Sequence, residues 1–129
     1  MMYTEEQIIN EFKVVRYAYT DGWFDRLVEL VNSLYDRVKD MPLERVKALL
    51  PFSPNEHGDY VGFNWQTPHG WSACIRDWYG DRTSTEICKA TGDTEDEALR
   101  KLLILYINYS SHNRPKDFTE TITKGITEG

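Results

Sequence analysis

"WSACIRDWYGDRTSTEICKATGDTEDEALRKLLILYI", residues 71–107, decides the fold. Two strand-like runs, 71–78 and 83–90, flank the turn Tyr79-Gly80-Asp81-Arg82. A Gly-Asp-Thr break then opens a run with helical spacing. A change from period two to period 3.6 marks a strand giving way to an amphipathic helix. Thr94 offers an N-cap oxygen, and Glu95, Asp96 and Glu97 place carboxylates at the positive end of the helix dipole. Ala98, Leu99, Leu102, Leu103, Leu105, Tyr106 and Tyr109 form a broad apolar face suited to a sheet of Phe63, Trp65, Ile75 and Ile87. Ile104 and Ile107 fall outside it. A helix apolar nearly all round is covered on both sides. The second cover is either the N-terminal helices of the same chain or a second copy, a homodimer through Ile104 and Ile107.

Upstream, "YVGFNWQ" (60–66) alternates, with Val61, Phe63 and Trp65 on one face. "TPHG" (67–70) is a turn. A Pro68-His69-Gly70 loop with Gly70 in the left-handed region sets Thr67 opposite Trp71, Trp65 opposite Ala73 and Phe63 opposite Ile75. One face is then apolar throughout. A loop shorter by one residue sets Trp65 opposite Ser72 and mixes the faces, because a one-residue slip flips every side chain. In the second hairpin, Ile75 opposite Ile87 keeps the same face apolar. It also sets Arg76 opposite Glu86, a charge pair worth about 0.2–1 kcal/mol, and Cys74 opposite Cys88.

The region before the sheet reads as helices. Thr4 with Gln7 forms a capping box, followed by Ile8, Ile9, Phe12, Val15 and Tyr19 at helical spacing. After "TDG" (20–22), with Asp21 as cap, "WFDRLVELVNSLYDRVKDM" (23–41) is amphipathic. Trp23, Phe24, Leu27, Val28, Leu30, Val31, Leu34, Tyr35 and Val38 face inward. Asp25, Arg26, Glu29, Asn32, Ser33, Asp36 and Arg37 face outward. Pro42 suits the first turn of a short helix, "PLERVKALL" (42–50). "PFSPNEHGD" (51–59) is a loop between helices and sheet. The Thr-rich tail, 113–129, is either a short strand at "TETITKGIT" or a flexible end. The fold class is α+β: N-terminal helices, a three-stranded antiparallel meander, and a C-terminal helix packed on the sheet.

At 129 residues the chain is one domain by size. Its net charge of −6 argues against a broad grip on phosphate backbones and leaves room for a basic protein partner. The acidic opening "MMYTEEQIIN" has no signal-peptide pattern, and no apolar run approaches the roughly 20 residues of a membrane span. The expectation is a cytoplasmic protein without membrane contact, with Cys74 and Cys88 reduced. Their spacing, without a histidine nearby, makes no zinc site.

No phosphate loop, dinucleotide fingerprint, serine elbow or HExxH pattern occurs, so neither an enzyme nor a cofactor is implied. His57, His69 and His112 read as solvated loop and helix-end residues. Asp81 makes a turn, and Asp77 lies on the apolar face without a placed second residue, so it is no general base by itself. An enzyme would need His57, His69 or Asp77 to converge in a cleft.

The candidate surface is aromatic and basic: Trp71, Arg76, Trp78, Tyr79 and Arg82, with His69 nearby. Trp, Tyr and Arg dominate binding energy at protein interfaces. The same groups can stack a nucleotide or single-stranded nucleic acid. A structural alternative stands beside both, in which a helix covers Trp78 and Arg76 only pairs with Glu86. The acidic residues Asp25, Glu29 and Asp36 are a second contact surface for a protein partner.

Residues 60–107, with an aromatic strand, a Gly-Trp opening the next strand, a further strand and "GDTEDEALRKLLI" leading a helix, resemble the small phage ABA-sandwich domains. The strand–Gly-Asp-Thr–helix join is also similar to HicB-like antitoxins, and more faintly to double-stranded RNA-binding domains. No helix-turn-helix follows to match the HicB-like pattern. The RNA-binding pattern asks for lysines where this chain has "EDEALRK". The phage resemblance implies a sheet with packed helices. It also implies a small non-enzymatic binding protein, inhibitor-like, engaging a host defence factor.

Overall fold

The computed structural model describes residues 8, 23–62, 65–67, 70–79 and 83–127, with backbone alone for 23–28, 65–67, 78–79 and 83–85. The capping box at Thr4 and Gln7, the stripe of Ile9, Phe12, Val15 and Tyr19, and the Asp21 cap lie outside these residues, as do Phe63, His69, Asp81 and Arg82. The fold class is α+β, as the residue pattern predicts. Two compact units form, one of Met1–Met41 with Ile107–Gly129, the other of Pro42–Tyr106.

In the first unit, helix α1 (Trp23–Val38) buries Leu30, Leu34 and Val38 at successive turns and turns Glu29, Asn32 and Asp36 to solvent. Of the predicted stripe, Leu30, Leu34 and Val38 are buried and Val31 and Tyr35 half-buried. Asp36 and Lys39 form an exposed ion pair at 3.3 Å, of small energetic value at such a site. The tail does not form a strand. After Arg114-Pro115 it makes helix α4 (Lys116–Thr127), which packs on α1. Thr119, Ile122, Thr123 and Ile126 are buried at helical spacing. Threonine is a poor helix former partly because its hydroxyl competes for backbone partners. Here that competition is resolved within the helix. The Thr123 hydroxyl donates to the Thr119 carbonyl at 2.8 Å and Thr121 to Asp117 at 2.9 Å, so the buried threonine needs no outside partner.

In the second unit, Pro42 precedes helix α2 (Leu43–Leu49) and its carbonyl accepts from the Arg45 and Val46 amides. The loop that follows is closed by Asn55, whose side-chain oxygen accepts from the His57 and Asp59 amides at 2.9 and 3.1 Å. Gly58 takes φ +80 inside that turn, a conformation open to glycine at no steric cost.

The sheet is built on strand β3 (Gly70–Tyr79). Strand β4 (Thr83–Gly92) pairs antiparallel along it from Trp71 to Tyr79. Strands β1 (Asp59–Val61) and β2 (Trp65–Thr67) therefore share the other edge, end to end, as one interrupted strand. This is the expected meander with its first strand broken.

Both hairpins depart from the expected register, the first at its turn, where Thr67 pairs with Gly70 across a two-residue loop, and both again at a break in the flanking strand. Trp65 pairs with Ser72 and Thr67 with Gly70, whereas Val61 pairs with Ile75. Trp65 therefore does not face Ala73, and Ile75 meets Val61 in the place assigned to Phe63. In β4, Arg76 pairs with Glu86 as expected, but Ile75 pairs with Cys88 and Cys74 with Lys89, so Ile87 is an extra residue. Each flanking strand thus holds one residue more than β3 at its break. Such bulges bend a strand and sharpen its twist, and they defeat any register drawn from uninterrupted alternation. The criterion of a single apolar face fails as well, because Ser72, Ala73, Cys74 and Ile75 are all buried.

Helix α3 (Glu95–Asn113) packs on the sheet. Thr94 caps it by accepting from the Glu97 amide at 3.1 Å, and the Glu97 carboxylate accepts from the Asp93 amide at 3.1 Å. Gly92 lies so close that a Cβ there would stand 2.8 Å from the Ala98 nitrogen. Ala98, Leu99, Leu102 and Leu103 are buried in this unit, as are Ala73, Ile75 and Ala90 of the sheet. Ile104 and Ile107 are 0% exposed within the single chain. That corrects the proposal of a homodimer through these two residues, which have no surface to offer a second copy.

Candidate functional site

β3 carries the chemistry. Its odd positions, Ala73, Ile75 and Asp77, lie opposite Ala90, Cys88 and Thr85 of β4; its even positions, Ser72, Cys74 and Arg76, lie opposite Thr91, Lys89 and Glu86. The even set makes the polar face. Thr91, Lys89 and Glu86 are exposed, Arg76 is half-buried, and Tyr60 of β1 is its half-buried partner on the other side. A cross-strand row Tyr60–Arg76–Glu86 results. The Arg76 stem is set against Gly62: a Cβ on Gly62 would stand 3.0 Å from Arg76 Cδ and 2.7 Å from Cys74 Sγ. Glycine at position 62 is what leaves room for the Arg76 methylenes there.

The residues singled out in the sequence fall as follows. Arg76 sits mid-strand on the polar face. Trp71 lies five positions away, paired with Gln66 and Gly92. An odd separation in a continuous strand places it on the other face, so the structure does not bring Trp71 and Arg76 together. Trp78 and Tyr79 pair with Ser84 and Thr83 at the end of the β3–β4 ladder; their side chains, and all of Arg82, lie outside the described residues. On α1, Glu29 and Asp36 are exposed.

Beside the polar face is a buried network that sequence reading missed. Asp59 of β1 is 0% exposed and pairs in the ladder with Asp77 of β3, itself 6% exposed. The Tyr106 hydroxyl of α3 donates to Asp59 Oδ2 at 2.7 Å and accepts from Asn55 Nδ2 at 2.9 Å. Asn55 thus links the loop, the first strand and the helix. Its turn chemistry was visible in the Asn-x-x-Gly-Asp spacing; nothing in the sequence tied Asp59 to Tyr106. Burial pushes the Cys88 thiol up to about 12, against an opposing hydrogen bond that its sulfur accepts from the Ile75 backbone. Cys74 and Cys88 are both free thiols, and a thiol so raised is a poor nucleophile near neutral pH.

His57 is in the Asn55 turn, with Nε2 3.5 Å from the Glu56 carboxylate, and His112 is in the last turn of α3. Among the described residues no group of three or more His, Cys, Asp or Glu is placed to hold a metal ion, and no helix is long and apolar enough to cross a membrane. No protein-family model, curated protein or solved structure matches the chain.

Proposed function

We propose that this chain is a small non-enzymatic binding protein of phage or mobile-element type, which engages a protein partner through the polar face of its sheet. The observation that carries the reading is the Tyr60–Arg76–Glu86 row, with the Arg76 stem held over Gly62. Arginine and tyrosine on a rigid sheet lose little side-chain freedom on binding, and these residue types supply most of the energy at protein interfaces. Lys89 and Thr91 extend the face toward one end, and the ladder position of Trp78 extends it toward the other, with Tyr79 next to it at the end of the strand. The phage character, and a host defence factor as partner, rest on the resemblance of residues 60–107 to phage ABA-sandwich domains.

The test is affinity capture from host lysate with the wild-type chain, with Arg76→Ala, with Trp78→Ala/Tyr79→Ala, and with Asp117→Ala on α4 as control. One defined partner should be retained by wild type and control and lost from the other two, with melting temperatures little changed. A ligand that instead absorbs at 260 nm and dissociates steeply with salt would move the reading to a nucleotide or single-stranded nucleic acid on the same residues. Equal capture by all four proteins would remove the sheet face from the interaction.

A further inference from the structure

We draw no further inference here: the strongest candidate, the buried Asp59–Asp77 side-chain cluster on the β1–β3 ladder beside the Tyr106 hydroxyl, is an acidic pair with no second observation that points to a ligand.

Discussion

The Tyr106 hydroxyl donates to the carboxylate of Asp59 at 2.7 Å, joining a helix to a strand 47 residues earlier, and both groups are buried. Tyr106→Phe keeps the ring and removes the bond, leaving a buried carboxylate short of one donor and the Asn55 amide short of one acceptor. The expected loss is about 1–3 kcal/mol, read as a lower urea midpoint with an unchanged slope. A midpoint equal to wild type would mean that water replaces the hydroxyl at no cost.

Gly62→Ala places a methyl 2.7 Å from Cys74 Sγ and 3.0 Å from Arg76 Cδ. Overpacking of this kind costs about 1–3 kcal/mol. Cys74→Ala removes the nearer obstacle, so the double variant should lose less than the sum of the two single changes, a coupling that a double-mutant cycle measures. Additive losses would show that the sulfur is not what the new methyl meets.

The Cys88 thiol titrates near 12 in the folded chain against 9.0 for a free thiol, chiefly because it is buried. Between these values the unfolded chain binds fewer protons than the folded one. The contribution is therefore complete below pH 9 and is lost as pH rises through the window to about 12. Cys88→Ala should make the alkaline fall in stability shallower than in wild type. Native Cys88 should also react slowly with a thiol reagent at pH 8, and quickly once urea is added.

At the start of α3, Thr94→Ala removes the oxygen that accepts from the Glu97 amide, and the expected cost is about 1 kcal/mol. The hydrogen bond from Lys101, then the one from the Asp93 amide, holds the Glu97 carboxyl below its usual range. Its contribution is present above the unfolded value and is lost as pH falls through the folded one. Glu97→Gln should therefore be less stable than wild type near neutral pH and converge with it in acid, so that its acid limb is shallower. Identical acid limbs for the two proteins would show that the pairing is fully screened.

In α4, Ile122→Ala should cost about 2–4 kcal/mol as a buried large-to-small change. Thr123→Val should cost less than about 1 kcal/mol, since the lost hydroxyl bonds only within its own helix. Thermal unfolding of the pair separates a packed helix from a loosely attached one.

How much was legible follows from where the signals lie. The α1 stripe was readable because Leu30, Leu34 and Val38 repeat at turn spacing, and so was the α3 start, because Thr94 and its acidic first turn are local chemistry. The registers were not readable, because the first loop is one residue shorter than the apolar pattern favours, each flanking strand holds an extra residue, and a strand buried on both sides gives no contrast to align. The Tyr60–Arg76 partnership went with them: the expected register set Arg76 opposite Gly62. The α4 helix was hidden by threonines whose hydroxyls are satisfied only once the helix exists. Asp59 was hidden because its partner stands far along the chain. Of the candidate surface, Arg76 was legible as a polar-face residue, while Trp71 was assigned to its company by nearness in sequence.

Ile87 has no opposite number in β3, standing between the Arg76–Glu86 and Ile75–Cys88 pairs. The broken strand on the far edge likewise holds one surplus residue between Val61 and Trp65. Deleting a residue at either place leaves every remaining pair where it is, whereas deleting one elsewhere in these strands slides the rest by a step. These two positions are where descendants of this chain can change length without re-pairing the sheet, and where gaps between relatives should gather.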